Sequence, residues 1–184
     1  DRCSAGDPKC MKQVISMQQN YAKVAGIEET IEVRQLMDDA IQMNVDALTR
    51  HAVTYQREFE SVPPILVDKH RVLQILVNLI RNGKYALSDS KRVDKQMVLR
   101  IKRCGEDRVQ VQVADNGVGI ASQHLTRIFA HGFTTRKDGH GFGLHSGALA
   151  AREMGGSLSV HSDGPGMGAT FTLELPLKLN KPKA

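Results

Sequence analysis

The chain is poor in aromatic side chains, with no Trp, 3 Tyr and 5 Phe among its 184 residues. Its core must therefore rest on Leu, Ile, Val, Ala and Met. Cysteine is equally scarce. Cys3, Cys10 and Cys104 are odd in number and lack a CxxC spacing, which speaks against a disulfide framework and a zinc site and for reduced cytoplasmic thiols. No apolar run approaches the ~20 residues of a bilayer-spanning helix. The opening "DRCSAGDPKC" also lacks the apolar segment of a signal peptide. These absences lead us to expect a soluble, cytoplasmic piece, and they leave open a membrane-anchored parent. The formal net charge is +5, but the Lys and Arg residues are scattered and form no dense block interleaved with aromatics. A nucleic-acid surface is not indicated, whereas a solvated surface or a site for a polyanionic nucleotide fits.

The chain does carry 41% apolar and 24% charged residues, a globular balance. Its length suits one well-buried domain with an additional element. Residues 1–10 read as irregular or as an expression remnant. In "MKQVISMQQNYAKV", Val14, Met17, Tyr21 and Val24 fall at helical spacing, and Gly26 suits a helix end. A second helix is expected over residues 33–50, with Leu36, Met37, Ala40, Ile41, Val45 and Leu48 along one face. "VTYQREF" alternates like a strand, and "VPPILVD" reads as an extended link that proline keeps out of a helix. The strongest helix covers residues 69–87, with Asp68 as its N-cap. Strands at 97–104 and 108–114 form a hairpin across "GEDR". A short helix at 122–128, a glycine-rich loop, a helix at 144–154 and a final hairpin follow. Hairpins mixed with helices imply an α+β fold: a two-layer sandwich whose mixed, mostly antiparallel sheet carries helices on one face, behind a short helical stem.

Four features carry chemistry. "NLIRN" sets Asn78 and Asn82 four apart, on one face of the long helix. Amide oxygens suit a hard cation such as Mg²⁺, although exposed or capping asparagines have the same spacing. "VQVADNGVGI" runs a strand into Asp115, Gly117 and Gly119, where a carboxylate can accept from a ligand amine; a plain DNG turn reads identically. In "TTRKDGHGFGLHSG", Gly139, Gly141 and Gly143 lead into a helix and offer free N–H groups at its positive end. The loop matches neither GxGxxG after a strand nor GxxxxGK[ST], and by itself it equally describes a mobile surface loop. "GMGATFTLELP" puts Thr170 at the start of the last strand, as a pocket hydroxyl or an ordinary strand residue.

Taken in order, "HRVLQILVNLIRNGKYAL", "DNGVGI", "IFAHGFTTRKDGHGFGLH" and "GGSLSVHSDGPGMGATFTLELP" closely resemble the ATP-binding domain of sensor histidine kinases. That family shares the Bergerat-type fold of DNA gyrase, MutL and the heat-shock chaperone ATPases. The resemblance is strong over residues 68–176 and weaker over 14–64, which is similar to the end of a dimerisation helix and its connector. It implies four segments: an irregular 1–10, a dimerisation-helix end over 11–30, an ATP-binding kinase domain over 31–178 and a tail over 179–184.

The resemblance also implies roles. Asn82 would hold Mg²⁺ against the triphosphate of ATP, with Asn78 one turn earlier facing the same pocket. Asp115 would recognise the adenine amino group, shaped by Gly117 and Gly119. Phe129 and Phe133 match the aromatic pair before the lid, and Gly139, Gly141 and Gly143 the lid glycines, with Leu144 beginning the helix behind them. Lys137 or Arg136 would be the lid cation, and Thr170 the polar residue near adenine. Tyr85 sits at a ligand-side position often charged in relatives, Gly83 replaces a usual alanine, and His140 and Phe142 are bulky lid spacers.

ATPase relatives carry a water-activating glutamate where this chain has Asn78, and a neutral amide is a poor general base. The resemblance therefore implies a kinase passing the γ-phosphate to a histidine. The alternatives are a same-fold ATPase or serine kinase, or a non-catalytic docking module. None of the seven histidines is followed by an acidic residue, the phosphoacceptor pattern of the family. The acceptor would then lie outside this sequence. The implied partners are a phosphoacceptor histidine domain, a response regulator and a second copy in a full-length homodimer.

Overall fold

The computed structural model describes residues 26–136, 139, 141 and 143–177. The stem helix expected at 11–24, Lys137, His140, Phe142 and the tail lie outside them.

The chain enters through β1 (Glu28–Ile31), which leads into α1 (Val33–Arg50). β2 (Thr54–Phe59) and β3 (Ile65–Asp68) precede the long helix α2 (Lys69–Asp89). A hairpin of β4 (Gln96–Cys104) and β5 (Arg108–Asp115) follows, then the one-turn α3 (Ser122–Leu125). Helix α4 (Gly143–Glu153) and the hairpin of β6 (Ser157–His161) and β7 (Ala169–Pro176) complete the described chain.

Five strands form a mixed sheet in the order β2-β4-β5-β7-β6, with only β2 and β4 parallel. Alternation decides its faces. Met97, Leu99 and Ile101, Val109, Val111 and Val113, and Phe171, Leu173 and Leu175 are buried on one side. Gln110, Gln112, Thr172 and Glu174 point to the other, where Gln110 donates to Glu174 and Gln112 to Thr172. The apolar side is covered by the helices. Val33, Leu36, Met37, Ile41 and Leu48 of α1 join Val72, Ile75, Leu76, Leu79 and Ile80 of α2 and Ala151 of α4 in one core. The fold is thus the expected two-layer α+β sandwich.

Two local features organise α2. Asp68 caps it, accepting from the backbone N–H groups of His70 and Arg71 through Oδ1. Its Oδ2 accepts from the Gly26 N–H at 2.7 Å, so the cap also ties down the chain just before β1. Gly83, buried in α2, leaves room for Met97; a Cβ there would come within 2.8 Å of the Met97 terminal methyl and 3.8 Å of Asp115 Oδ2. The glycine lets the sheet approach the helix beside Asp115.

At the chain's entrance residues 28–31, of which 28–30 fall in the segment read as the end of the stem, form β1, and the link "VPPILVD" supplies its partner β3. They pair antiparallel from Glu28↔Asp68 to Ile31↔Ile65 as a separate two-stranded sheet. Each strand has four residues, too few for a periodic signal, and their pairing spans a whole helix and strand.

Candidate nucleotide site

A cavity of about 890 Å³ opens between α2, the end of β5, the residue 116–136 segment and the start of α4. Among its lining residues are Asn78, Asn82, Tyr85, Asp115, Gly119, Phe133, Gly139, Gly141, Gly143 and Leu144. Residues from four separate stretches of sequence thus meet around one space large enough for a nucleotide.

Asp115 is placed by strand register. It lies opposite Ala169, and Val113 lies opposite Phe171, so all four share the helix-facing side. As the last residue of β5, Asp115 reaches past the core into the cavity. Burial pushes its carboxyl up to about 6 from an ordinary 3.8, against the lowering effect of hydrogen bonds from the Gly117 and Ala169 N–H groups. The Gly117 N–H donates to Asp115 Oδ1 at 2.8 Å and fixes the carboxyl plane. Gly117 does not line the cavity; a Cβ on it would meet the Ala86 backbone at 2.6 Å, so it allows this loop to lie against α2. Gly119 does line the cavity. Its φ is +69°, and a side chain would drive into the Gly164 carbonyl at 2.0 Å. Ser162 ties the same two loops together, accepting from the Ile120 N–H and donating to the Gly168 carbonyl.

Thr170, like Gly117, is an expected site residue that does not line the cavity. It pairs with Ala114 and His161, on the solvent side of the sheet, and the cavity wall is made by its neighbours Ala169 and Phe171. Strand position was legible, but which of two adjacent residues faces the site depends on pairing phase, and a shift of one reverses the face.

At the other end, Asn78 is buried and packed against the first residue of α4. A Cβ on Gly143 would lie 2.5 Å from Asn78 Nδ2 and 2.6 Å from its Oδ1. Only glycine allows α4 to begin so close to the amide, and its N-terminus thereby faces the cavity. Arg81 Nη2 donates to Asn78 Oδ1 at 2.9 Å. Asn82 lines the cavity one residue beyond Arg81.

Between α3 and α4, Ile128 and Phe133 to Arg136 line the cavity. Phe133 packs on His124, ring centres 5.5 Å apart, with the Arg127 guanidinium 5.2 Å away. The His145 ring nitrogen Nδ1 meets the Phe129 carbonyl at 3.0 Å, which joins α4 to the base of the loop. Tyr85 has Lys84 Nζ and Arg136 Cζ each 3.4 Å from its ring centre. Two cations cannot share one face at that distance, so the ring lies between them. Burial raises the phenol's pKa, yet the charges and hydrogen bonds of Lys84 and Arg136 outweigh it and leave the phenol below its ordinary value. Sequence reasoning passed over Arg81, Ala86, Ile120 and His124 as cavity residues. For Arg81 a signal existed, since it stands three residues after Asn78 on the same helical face.

Residues 67–179 match the model of the family described as histidine kinase-, DNA gyrase B-, and HSP90-like ATPase. The sensor histidine kinase ZraS of Klebsiella oxytoca is 30% identical over 151 residues, 81% of this chain and 31% of the relative. The sensor protein FixL of Bradyrhizobium diazoefficiens is 33% identical over 112 residues, 61% of this chain and 22% of that one. The chain thus spans under a third of these relatives' length. The nucleotide-free catalytic domain of the histidine kinase ThkA has the same fold, with a TM-score of 0.72 at 20% identity over 82% of this chain and 95% of that one. Full-length ShkA, solved in complex with AMPPNP, aligns with a TM-score of 0.71 at 21% identity over 96% of this chain and 40% of that one. The chain therefore belongs to the histidine kinase-, DNA gyrase B- and HSP90-like ATPase family, with the catalytic ATP-binding domain of a sensor histidine kinase over residues 67–179.

Proposed function

We propose that this domain binds Mg·ATP in the α2–α4 cavity and passes the γ-phosphate to a histidine on a segment or protein outside these 184 residues. The observation that carries the reading is the pairing of a buried carboxylate, Asp115, with the glycine-led start of α4 at the opposite end of one cavity. The first accepts from an exocyclic amine and the second offers N–H donors to phosphate oxygens. The span between them suits adenine at one end and a triphosphate at the other.

Asn82 fits a metal held jointly with phosphates. Its amide oxygen is a hard donor, and Mg²⁺ normally keeps waters and phosphate oxygens in most of its positions. Among the described residues no group of three or more His, Cys, Asp and Glu side chains forms an all-protein metal cage. The ion would supply charge neutralisation between the phosphates. The chain's own part is positioning: Asp115 orients the base, Asn82 takes one metal position, and α4 and the loop cations hold the phosphates in line. Asn78 supports transfer over hydrolysis, because its oxygen is engaged by Arg81 and has almost no proton affinity near pH 7. Among the described residues no helix is long and apolar enough to cross a membrane. A cytoplasmic setting, a homodimeric parent and a response regulator as the final phosphate recipient complete the reading.

The test is incubation with labelled ATP and a separately supplied acceptor-helix domain. An acid-labile, alkali-stable phosphate on that domain is expected, and Asp115→Asn should reduce both ATP binding and labelling by about tenfold or more. Calorimetry that detects no Mg-dependent ATP binding by the unmodified chain would refute the proposal.

A further inference from the structure

We infer that Arg81 is the residue that distinguishes ATP from ADP in this pocket, binding the terminal phosphate while it fixes the orientation of Asn78. The inference rests on the nucleotide reading above and adds a phosphate-specific role that the four motifs do not contain.

The chemistry begins with donors and acceptors. An arginine side chain can only donate. Because Nη2 lies 2.9 Å from Asn78 Oδ1, that oxygen is the amide's Arg81-facing atom, and the amide NH₂ is turned away. The amide is itself buried and held against Gly143 at the start of α4. Asn78 thus lies between Arg81, which holds its oxygen, and the first residue of α4.

Arg81 spends one N–H on Asn78 and keeps the rest of its five-donor fork. It lines the cavity, and among the described residues no carboxylate lies within ion-pair distance of it. The other arginines with ion pairs, such as Arg57, Arg92 and Arg100, are spent on acidic neighbours. A guanidinium left without an acidic partner, anchored by a buried amide and facing a nucleotide-sized cavity, suits an anionic ligand oxygen.

Its position along α2 names the oxygen. Gly83 marks the adenine end, since it lies beside Asp115, and Asn78 marks the end at α4. Arg81 points toward Asn78 and so toward the end of the cavity away from Asp115, where the outermost phosphate of a triphosphate would lie.

The experiment is calorimetry of Mg·ATP, Mg·ADP and adenosine on the 184-residue chain and on Arg81→Ala and Arg81→Lys. Arg81→Ala should weaken ATP about tenfold or more, change ADP less than about threefold and leave adenosine unaltered. Arg81→Lys, which keeps the charge but loses the planar fork, should fall between. Alanine is the best helix former, so the variant's melting temperature without nucleotide should stay near the parent's. Parallel losses for all three ligands would reduce Arg81 to a structural brace, and no loss for ATP would remove it from the site; either overturns the inference. An unmodified chain that binds none of the three overturns the nucleotide reading itself, whereas failure confined to the variants overturns only this role.

Discussion

The guanidinium of Arg136 sits 3.4 Å from the centre of the Tyr85 ring, which joins the loop lining the cavity to helix α2. Lys84 holds the ring at the same distance, so the tyrosine is gripped by one cation from its own helix and one from the loop. Tyr85 is thus a strap across the mouth of the site rather than a simple wall residue.

Removing the ring should loosen the loop. A cation–π contact of about 1 kcal/mol corresponds to roughly a fivefold change in the closed population. Tyr85→Ala should accelerate amide exchange at Arg136, whose N–H donates to Thr134 Oγ1, by about that factor. Tyr85→Phe keeps the π face but loses the phenol's hydrogen bonds to Lys84 and Arg136, so its exchange should fall between the parent and Tyr85→Ala. Equal exchange in all three proteins would show that the contact does not restrain the loop.

Asp115 makes two opposite pH predictions. Its carboxyl titrates at about 6 in the fold against an ordinary 3.8, because burial penalises the charged form. In that window the folded chain binds more protons than the unfolded one, so this group's contribution makes the ligand-free domain more stable as pH falls from about 6 toward 4. The full gap corresponds to about 3 kcal/mol at most. Binding runs the other way, since the ionised carboxylate is the better acceptor. Adenosine affinity should weaken below about pH 6, approaching tenfold per unit, and adenosine is the proper probe because its phosphate-free structure does not titrate there. Denaturant melts and calorimetry from pH 4.5 to 8 on the parent and on Asp115→Asn separate the two effects. A flat adenosine profile in the parent would contradict the assigned role.

Asn78→Glu should turn the domain toward hydrolysis. The change puts a carboxylate at the position where ATPase relatives carry their base, and general-base catalysis contributes about 10²–10⁴-fold. Because Arg81 will pair with the new carboxylate and hold down its basicity, the lower end of that range is expected. Phosphate release, measured with a coupled assay at saturating ATP, should rise accordingly while transfer to an acceptor helix falls. Retained ATP binding with unchanged phosphate release would remove Asn78 from the reaction centre.

Much of this molecule is legible in one dimension. The apolar spacing in α1 reproduces its bounds of Val33–Arg50, because a face that must be buried repeats every three or four residues. Asp68 is readable as a cap because only a short acceptor just before a helical run satisfies the first free N–H groups. Asn78, Asn82 and Asp115 stand out for a related reason: polar groups interrupting buried patterns require a partner or a ligand.

The remainder is set by distance in space. Whether Ala169 or Thr170 faces the cavity follows from the Asp115↔Ala169 register, a pairing between strands far apart in sequence. The same holds for the β1–β3 pair, whose two strands carry no pattern of their own. Arg81 and Arg136 were visible as basic letters, but their meaning comes from an amide at 2.9 Å and a ring at 3.4 Å. The sequence by itself determined the family, the elements and the polar residues that the core cannot absorb, because burial acts on local periodicity. Only the tertiary structure decided which of those residues meet, because side-chain direction and strand phase are set by packing between distant segments.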